Sequence, residues 1–219
     1  MILDGVPLVH IDDDLVVVDK PAGLLAVPGR GPEKADCVLH RLQRQLGPLG
    51  VVHRLDMDTS GLMVLARTAA AQRTLSMAFG ARRVHKRYVA VVAGIPLPPT
   101  APDGWGDIRL PLIVDWPRRP RSKVCFRTGK PSHTRWCLCG TERHGPAWAA
   151  RVTLEPITGR SHQLRLHLAA LGHPILGDPL YAPPALARAT PRLLLHASEL
   201  ALPHPAHGQW MAWCSACPF

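Results

Sequence analysis

The residues best placed to do chemistry lie in one run, Val51-Val52-His53-Arg54-Leu55-Asp56-Met57-Asp58-Thr59-Ser60-Gly61-Leu62-Met63-Val64-Leu65-Ala66. Two apolar residues lead in, a mostly polar, turn-forming stretch follows, and the apolar run from Leu62 reads as a buried strand. Thr59-Ser60-Gly61 is turn chemistry, with Gly61 free to adopt a positive φ. Asp56 is therefore expected in a loop at the mouth of a strand, beside the guanidinium of Arg54, where rigid scaffolds present reactive groups. Three roles are open to it. It can accept hydrogen bonds in its own Asx turn. It can form an acid/base pair with Asp58, as in glycoside hydrolysis. Or it can act alone as a nucleophile or base whose charge an arginine maintains. Asp58 leads directly into Thr59-Ser60-Gly61 and is the better turn-former, which leaves Asp56 as the chemical carboxylate.

Three other stretches carry functional residue types. In Pro156-Ile157-Thr158-Gly159-Arg160-Ser161-His162-Gln163-Leu164-Arg165-Leu166-His167-Leu168, Leu164, Leu168 and Leu171 form the expected buried stripe of a helix. Ser161 or Thr158 caps it, and Gly172 and Pro174 end it. His162 and Arg165, three apart, share a face away from those leucines. A helix N-terminus near arginines attracts phosphates, whereas a solvated surface helix is the plain alternative. Between Asp115 and Cys125, four cations (Arg118, Arg119, Arg121 and Lys123) fall within six positions, with prolines expected to hold the segment extended. That is a solvated loop, or, with a nucleic-acid substrate, an arm that grips phosphates without reading sequence. Lys86–Gly94 reads as a buried strand with Tyr88, Ala90 and Val92 on one face; taken alone, Tyr88 is a core tyrosine.

The remaining elements must position these groups. Residues 8–19 read as two strand pieces around Asp12-Asp13-Asp14, broken by Lys20-Pro21-Ala22-Gly23-Leu24 because proline cannot join a ladder. Asp36 is expected to cap a helix to about Leu46, stopped by Gly47-Pro48. Thr68 caps a second, with Ala71, Leu75, Ala78 and Phe79 inward. Residues 95–107, rich in proline and glycine, read as a loop joining two lobes. Ile108–Val114 is strand-like, and Thr134–Cys139 and Trp148–Leu154 alternate as strands of a sheet carrying helices.

At 219 residues the chain fits one domain, with room for two lobes and a proper core, and 47% hydrophobic residues mark it as folded. Lysine and arginine number 26 against 16 acidic residues, a net charge of +10. With a pI near 10.0, this favours a polyanionic partner, nucleic acid first. No apolar run is long enough to span a bilayer and no secretory signal is visible at Met1-Ile2-Leu3-Asp4-Gly5. Six cysteines in a chain of this class read as cytosolic thiols. Cys137-x-Cys139 with Cys214-x-x-Cys217 has the wrong spacing for zinc, and His162 and His167 point to different helix faces, so no metal site is expected.

His53-Arg54-Leu55-Asp56, two residues, then Thr59-Ser60-Gly61-Leu62 resembles the signature of the RluA-type pseudouridine synthases. The motif is long and specific, and most of the chain, from residue 10 to about 205, takes part in the resemblance. Lys20-Pro21-Ala22-Gly23-Leu24 is similar to the family's first motif, packed near the catalytic loop. Lys86-x-Tyr88-x-Ala90 and Gly159-Arg160-Ser161-His162-Gln163-Leu164-Arg165 match two others. The resemblance implies an α+β fold, a mixed, mostly antiparallel sheet flanked by helices around a central RNA-binding cleft. It implies a single catalytic domain without the small N-terminal RNA-binding module of many relatives. It also implies Asp56 as the essential catalytic residue, Tyr88 stacked on the target base, and Arg165 paired with Asp56. Arg54 would enter the space vacated by the flipped uridine. His53, Arg160, His162 and Gln163 go to RNA or structural contacts, and Arg118, Arg119, Arg121 and Lys123 to RNA phosphates. The implied enzyme isomerises uridine in tRNA and 23S rRNA stem-loops, needs no cofactor or metal, and works as a cytoplasmic monomer. A synthase with one different RNA target and a non-catalytic RNA-binding module are the alternatives.

Overall fold

The computed structural model describes residues 1–219 and divides into two compact units. One comprises Met1–Lys86 with His196–Pro218; the other comprises Arg87–Leu195 with Phe219. The residue 95–107 loop, expected to join lobes, lies wholly inside the second unit. The architecture is α+β, with a mostly antiparallel sheet in which β12 runs parallel to β5.

In the first unit, β1 (Ile2–Leu3), β2 (Val6–Ile11) and β3 (Leu15–Lys20) form an antiparallel run, and β3 pairs with β5 (Ser60–Ala66) from Leu15↔Ala66 to Lys20↔Gly61. β5 is buried along its whole length, which accounts for its unbroken apolar reading. Its other edge is shared. Short β4 (Gly50–Val51) takes Leu65 and Ala66, while β12 (Leu195–Pro203) runs parallel to it at Ser60 and Gly61. β13 (Trp210–Cys214) lies antiparallel to β12.

Two helices pack on this unit. α1 spans Val38–Leu46 and stops at Gly47, whose φ of 76° suits glycine. Its cap is Cys37 and not Asp36: Cys37 is extended and its sulfur accepts the amide of His40. Asp36 is instead gripped by both arms of the Arg41 guanidinium, at 2.7 and 2.6 Å. α2 spans Ala69–Gly80, capped by Thr68, whose hydroxyl accepts the amide of Ala71 at 3.0 Å. Ala71, Leu75 and Ala78 bury against Leu15, Val17, Leu62 and Val64, with Phe79 at the margin.

The second unit is built on β6 (His85–Ala93), β11 (Ala147–Pro156), β10 (Thr134–His144) and β7 (Gly106–Ile108), antiparallel in that order. The expected single strand over Ile108–Val114 is broken after Ile108. The carbonyl of Leu110 faces the His167 ring and that of Pro111 accepts the amide of Cys125. β8 (Leu112–Val114) then starts a separate hairpin with β9 (Ser122–Val124). α3 spans Gln163–Ala170 and α4 Pro184–Ala187. Leu164 and Leu168 are buried as expected, but Leu171 lies one residue past the end of α3 and is 42% exposed.

Candidate active site

Residues 52–56 adopt no regular structure, and Met57-Asp58 make a tight turn closed by the Thr59 amide on the Asp56 carbonyl at 3.2 Å. Leu55 is buried beneath the loop, Arg54 is exposed and Asp56 is half-buried. An apolar anchor thus fixes the segment between an exposed Arg54 and a half-buried Asp56. The turn is clasped from below by Lys20, which is wholly buried. Its ammonium donates to the carbonyls of Pro21, Leu24 and Met57 at 2.8, 2.7 and 2.7 Å. The amide of Gly23 reaches the same Met57 carbonyl at 2.9 Å. Three backbone acceptors satisfy the desolvated cation, which is the condition for burying it.

On the far side of the turn, Ser60 and Gly61 belong to β5 rather than to the turn itself. Gly61 does take a positive φ, 113°, and a Cβ there would stand 2.3 Å from the Ala197 carbonyl oxygen, so close approach of β12 dictates glycine. Ser60 begins a hydrogen-bond chain: its hydroxyl meets His196 Nδ1 at 2.9 Å, and His196 Nε2 meets the Ser215 hydroxyl at 3.0 Å. That hydroxyl in turn donates to Asp19. All three links agree if His196 carries its proton on Nε2.

His53, grouped with the RNA contacts from sequence, is engaged inside the fold. Its Nε2 accepts the amide of Val64 at 3.0 Å, filling the gap on the β5 edge between β4 and β12. The ring stacks on Phe79 at 4.6 Å. Desolvation, reinforced by the charge of Lys86, pushes its pKa down to about 3, so the ring is a neutral acceptor.

In the second unit, Tyr88 stands on β6 opposite Leu154 and is nearly buried. Arg165, expected on a face away from the leucine stripe, is only 2% exposed. Its Nε and Nη2 donate to Asp178 at 2.8 and 2.7 Å, a two-pronged pair in which the carboxylate is wholly buried. Asp178 also accepts the amides of Leu180 and Tyr181 at 2.8 and 3.1 Å. The Tyr181 ring lies against the guanidinium, 5.4 Å from its centroid. The Tyr181 hydroxyl accepts the Ser122 amide at 2.8 Å and meets His162 Nδ1 at 2.8 Å. His162 caps α3 in the left-handed region, φ 56°, a conformation that costs a non-glycine residue energy and is held here by Tyr181.

Gln163 uses its full amide capacity inside the protein. Its oxygen accepts the Thr158 hydroxyl (2.7 Å) and the Arg160 amide (3.0 Å). Its nitrogen donates to the His133 carbonyl and the Thr134 hydroxyl, both at 3.0 Å. Gln163 therefore shapes the loop that leaves Arg160 exposed. Thr134 passes the chain to His167 Nδ1 at 2.9 Å, and His167 Nε2 faces the Leu110 carbonyl at 3.2 Å.

The basic run at 115–125 is a hairpin tip and not an extended arm. Trp116–Arg118 form a helical turn with Pro117 inside it, and the Asp115 amide closes on the Arg121 carbonyl at 2.9 Å. Buried Asp115 takes Arg118 at 2.7 Å and Lys123 at 3.4 Å, and Arg119 stacks on Trp116 at 4.2 Å. The side chain of Arg121 makes no hydrogen bond or ion pair.

Asp178, Tyr181 and His196 hold these groups in place without having been singled out for that work by the sequence, whereas Lys20 lies in the motif expected near the catalytic loop. Asp178 lies thirteen residues after Arg165, beyond any helical spacing, and only Gly177-Asp178-Pro179 marks it as a turn. Among metal-ligating types, Asp12, Asp14 and His204 offer atoms within 4.8 Å of one another. The Asp12 carboxylate is already taken up by the amides of Asp14 and Leu15 and by His10 and His204, and the group closes the β2–β3 hairpin.

A model of the RNA pseudouridylate synthase family matches residues 14–170. The chain is 49% identical over 212 residues to the dual-specificity RNA pseudouridine synthase RluA of Escherichia coli K12, covering 97% of this chain and 93% of that protein. It is 46% identical to the RluA of Pasteurella multocida over the same shares. Among solved structures, human RNA pseudouridylate synthase domain containing 1 superposes with a TM-score of 0.81 at 26% identity, over 99% of this chain and 85% of that one. Human domain containing 4 superposes with a TM-score of 0.74, also at 26% identity, over 97% and 88%.

Proposed function

This chain belongs to the RNA pseudouridylate synthase family, in its RluA branch, and on that premise we propose that it isomerises uridine in two kinds of stem-loop. These are the tRNA anticodon loop at uridine 32 and 23S rRNA at uridine 746. No helix is long and apolar enough to cross a membrane, and the compartment we assign is the cytoplasm, where both RNAs are at hand. We assign a monomer.

The reaction breaks the N1–C1′ bond, turns the base, and joins C5 to C1′, after which C5 gives up its proton and N1 takes one up. Atoms and electrons balance within the nucleoside. Asp56 is the carboxylate that works at the ribose, whether on C1′ or on the C2′ proton. Tyr88 stacks on the base, a contact of about 1–3 kcal/mol. Arg165 supplies the positive charge that favours the ionised carboxylate, and Asp178 and Tyr181 position that guanidinium. Reaching the uridine costs a few kcal/mol of unstacking, and Arg54, exposed two residues before Asp56, fills the vacated space. Arg160, Arg118, Arg119, Arg121 and Lys123 hold phosphates, while His53, His162 and Gln163 hold the backbone that carries them.

The observation that carries this reading is the clasp of Lys20 and Gly23 on Met57. It presents Asp56 on rigid backbone, as catalysis by a positioned group demands. Replacement of Asp56 by asparagine should leave RNA binding intact and abolish pseudouridine, measured by mass spectrometry of a stem-loop substrate. A fully active asparagine variant ends the reading. A carboxylate hydrolase using Asp56 with Asp58 is separated by Asp58→Ala, which a synthase survives.

A further inference from the structure

A groove of about 350 Å3 runs between the β8–β9 hairpin and the exposed side of α3, within the range of small-ligand clefts, about 300–1,000 Å3. Its floor is apolar, made by Leu166, Ala169 and Ala170 of α3 with Leu180, and Tyr181 lines it as well. Its rim is cationic. Arg118 and Lys123 share the single buried carboxylate of Asp115, whereas Arg121, half-buried on the same rim, has no internal partner for its guanidinium. A partly desolvated arginine without a carboxylate is costly unless an anion completes it.

We propose that this groove seats a second nucleotide of the substrate RNA, distinct from the uridine that reacts. Its base lies on the α3 floor beside Tyr181, and its phosphate is held by Arg121. The proposal rests on the assignment of RNA as substrate. Charge complementarity selects the occupant: the rim carries three cations against one carboxylate, and the floor offers an apolar surface to a planar base. Tyr181 ties the groove to the reaction, since its ring packs on Arg165 and its hydroxyl joins β9 to His162 at the start of α3. A nucleotide seated here would therefore reinforce the support of Arg165, making the neighbouring sequence or shape of the loop part of substrate selection.

The test uses the full chain carrying Asp56→Asn and stem-loop RNAs with a single 4-thiouridine at positions other than the target. Irradiation should crosslink one such position to Leu166–Ala170 or to Leu180–Tyr181. Ala170→Trp, an exposed site that fills the groove, and Arg121→Gln should each weaken RNA affinity about tenfold, the scale of one stacked base or one phosphate contact. Arg121→Gln should also lower the salt dependence of binding by about one phosphate. Melting temperatures should stay at the parental value. Crosslinks confined to other peptides, or parental affinity in both variants, overturn the groove assignment. Pseudouridine formation by the unmodified chain, measured separately, tells that failure apart from failure of the enzymatic reading.

Discussion

Lys20 Nζ and the Met57 carbonyl stand 2.7 Å apart, joining the strand-end turn after β3 to the residue that follows Asp56 across 37 positions of sequence. A wholly buried ammonium held by three backbone carbonyls is uncommon. It persists here because it replaces the hydrogen-bond donors that two turns cannot supply themselves.

Lys20→Met should therefore cost more than a lost surface charge. Pro21 and Leu24 lose their carbonyl donor, and each buried unsatisfied acceptor costs about 1–3 kcal/mol. Urea unfolding should show a loss of roughly 2–4 kcal/mol, together with reduced kcat as the Asp56 turn loosens. Stability within about 0.5 kcal/mol of the parent would show that the clasp holds nothing.

Gly61→Ala tests the approach of β12 to β5. The added Cβ meets the Ala197 carbonyl oxygen at 2.3 Å, which is backbone and cannot swing aside, and φ of 113° is strained for alanine. Overpacking and backbone strain together predict a loss of roughly 2–5 kcal/mol, visible as a lowered denaturation midpoint. An unchanged midpoint would mean that the two strands separate without cost.

How much of this was legible in the sequence depends on whether partners lie near each other along the chain. The Asp56 loop, β5 behind it, and the Thr68 cap are contiguous patterns and each is present, although the turn falls at Met57-Asp58 and β5 already begins at Ser60. Spacing puts Arg165 on a face away from the leucine stripe and says nothing of what covers that face. Burial of that face is dictated by Asp178, which no helical period reaches. The 115–125 segment read as extended from its prolines, yet one buried carboxylate, Asp115, gathers Arg118 and Lys123 and folds it into a hairpin tip. His53 looked like a surface ligand because nothing local reveals the gap on the β5 edge that its ring fills. Asp36 lost the cap of α1 to Cys37 because Arg41, five residues on, claimed its carboxylate.

Asp178 offers the sharpest contrast between deleting and neutralising a charge. Asp178→Ala takes a two-pronged carboxylate from a nearly buried guanidinium and the acceptor from two backbone amides, a class of change that costs about 3–5 kcal/mol. Asp178→Asn keeps an oxygen for those groups but loses the two-pronged charged pair, so its loss should be smaller. If Asp178 positions Arg165 for the reaction, the asparagine variant, assayed below its melting temperature, should lose kcat more than it raises KM. Asp178→Glu should restore part of it. Equal melting temperatures for alanine and asparagine variants would contradict the pairing seen here.

The last prediction concerns acid. His53, pushed down to about 3 chiefly by desolvation, and His167, lowered by burial although its Nε2–H donates to the Leu110 carbonyl, are neutral in the folded chain. In the unfolded chain both titrate near the ordinary 6.5, so below that pH the unfolded state binds more protons. Stability is therefore complete above about pH 6.5 and declines as pH falls, by up to about 1.4 kcal/mol per unit for each histidine. Asp12 acts lower down. Burial opposes its ionisation, but bonds from His10, the Leu15 and Asp14 amides and His204 prevail and hold it below the usual carboxylate range. Its contribution is lost only as pH drops below about 3.8, outside the histidine window. His53→Gln keeps an oxygen able to accept the Val64 amide and cannot take up a proton. Urea unfolding between about pH 7.5 and 4.5 should thus show a shallower decline for the glutamine variant than for the parent. Parallel curves would mean that the His53 ring takes up a proton as readily in the folded chain as in the unfolded one, and that its bond from the Val64 amide does not hold it neutral.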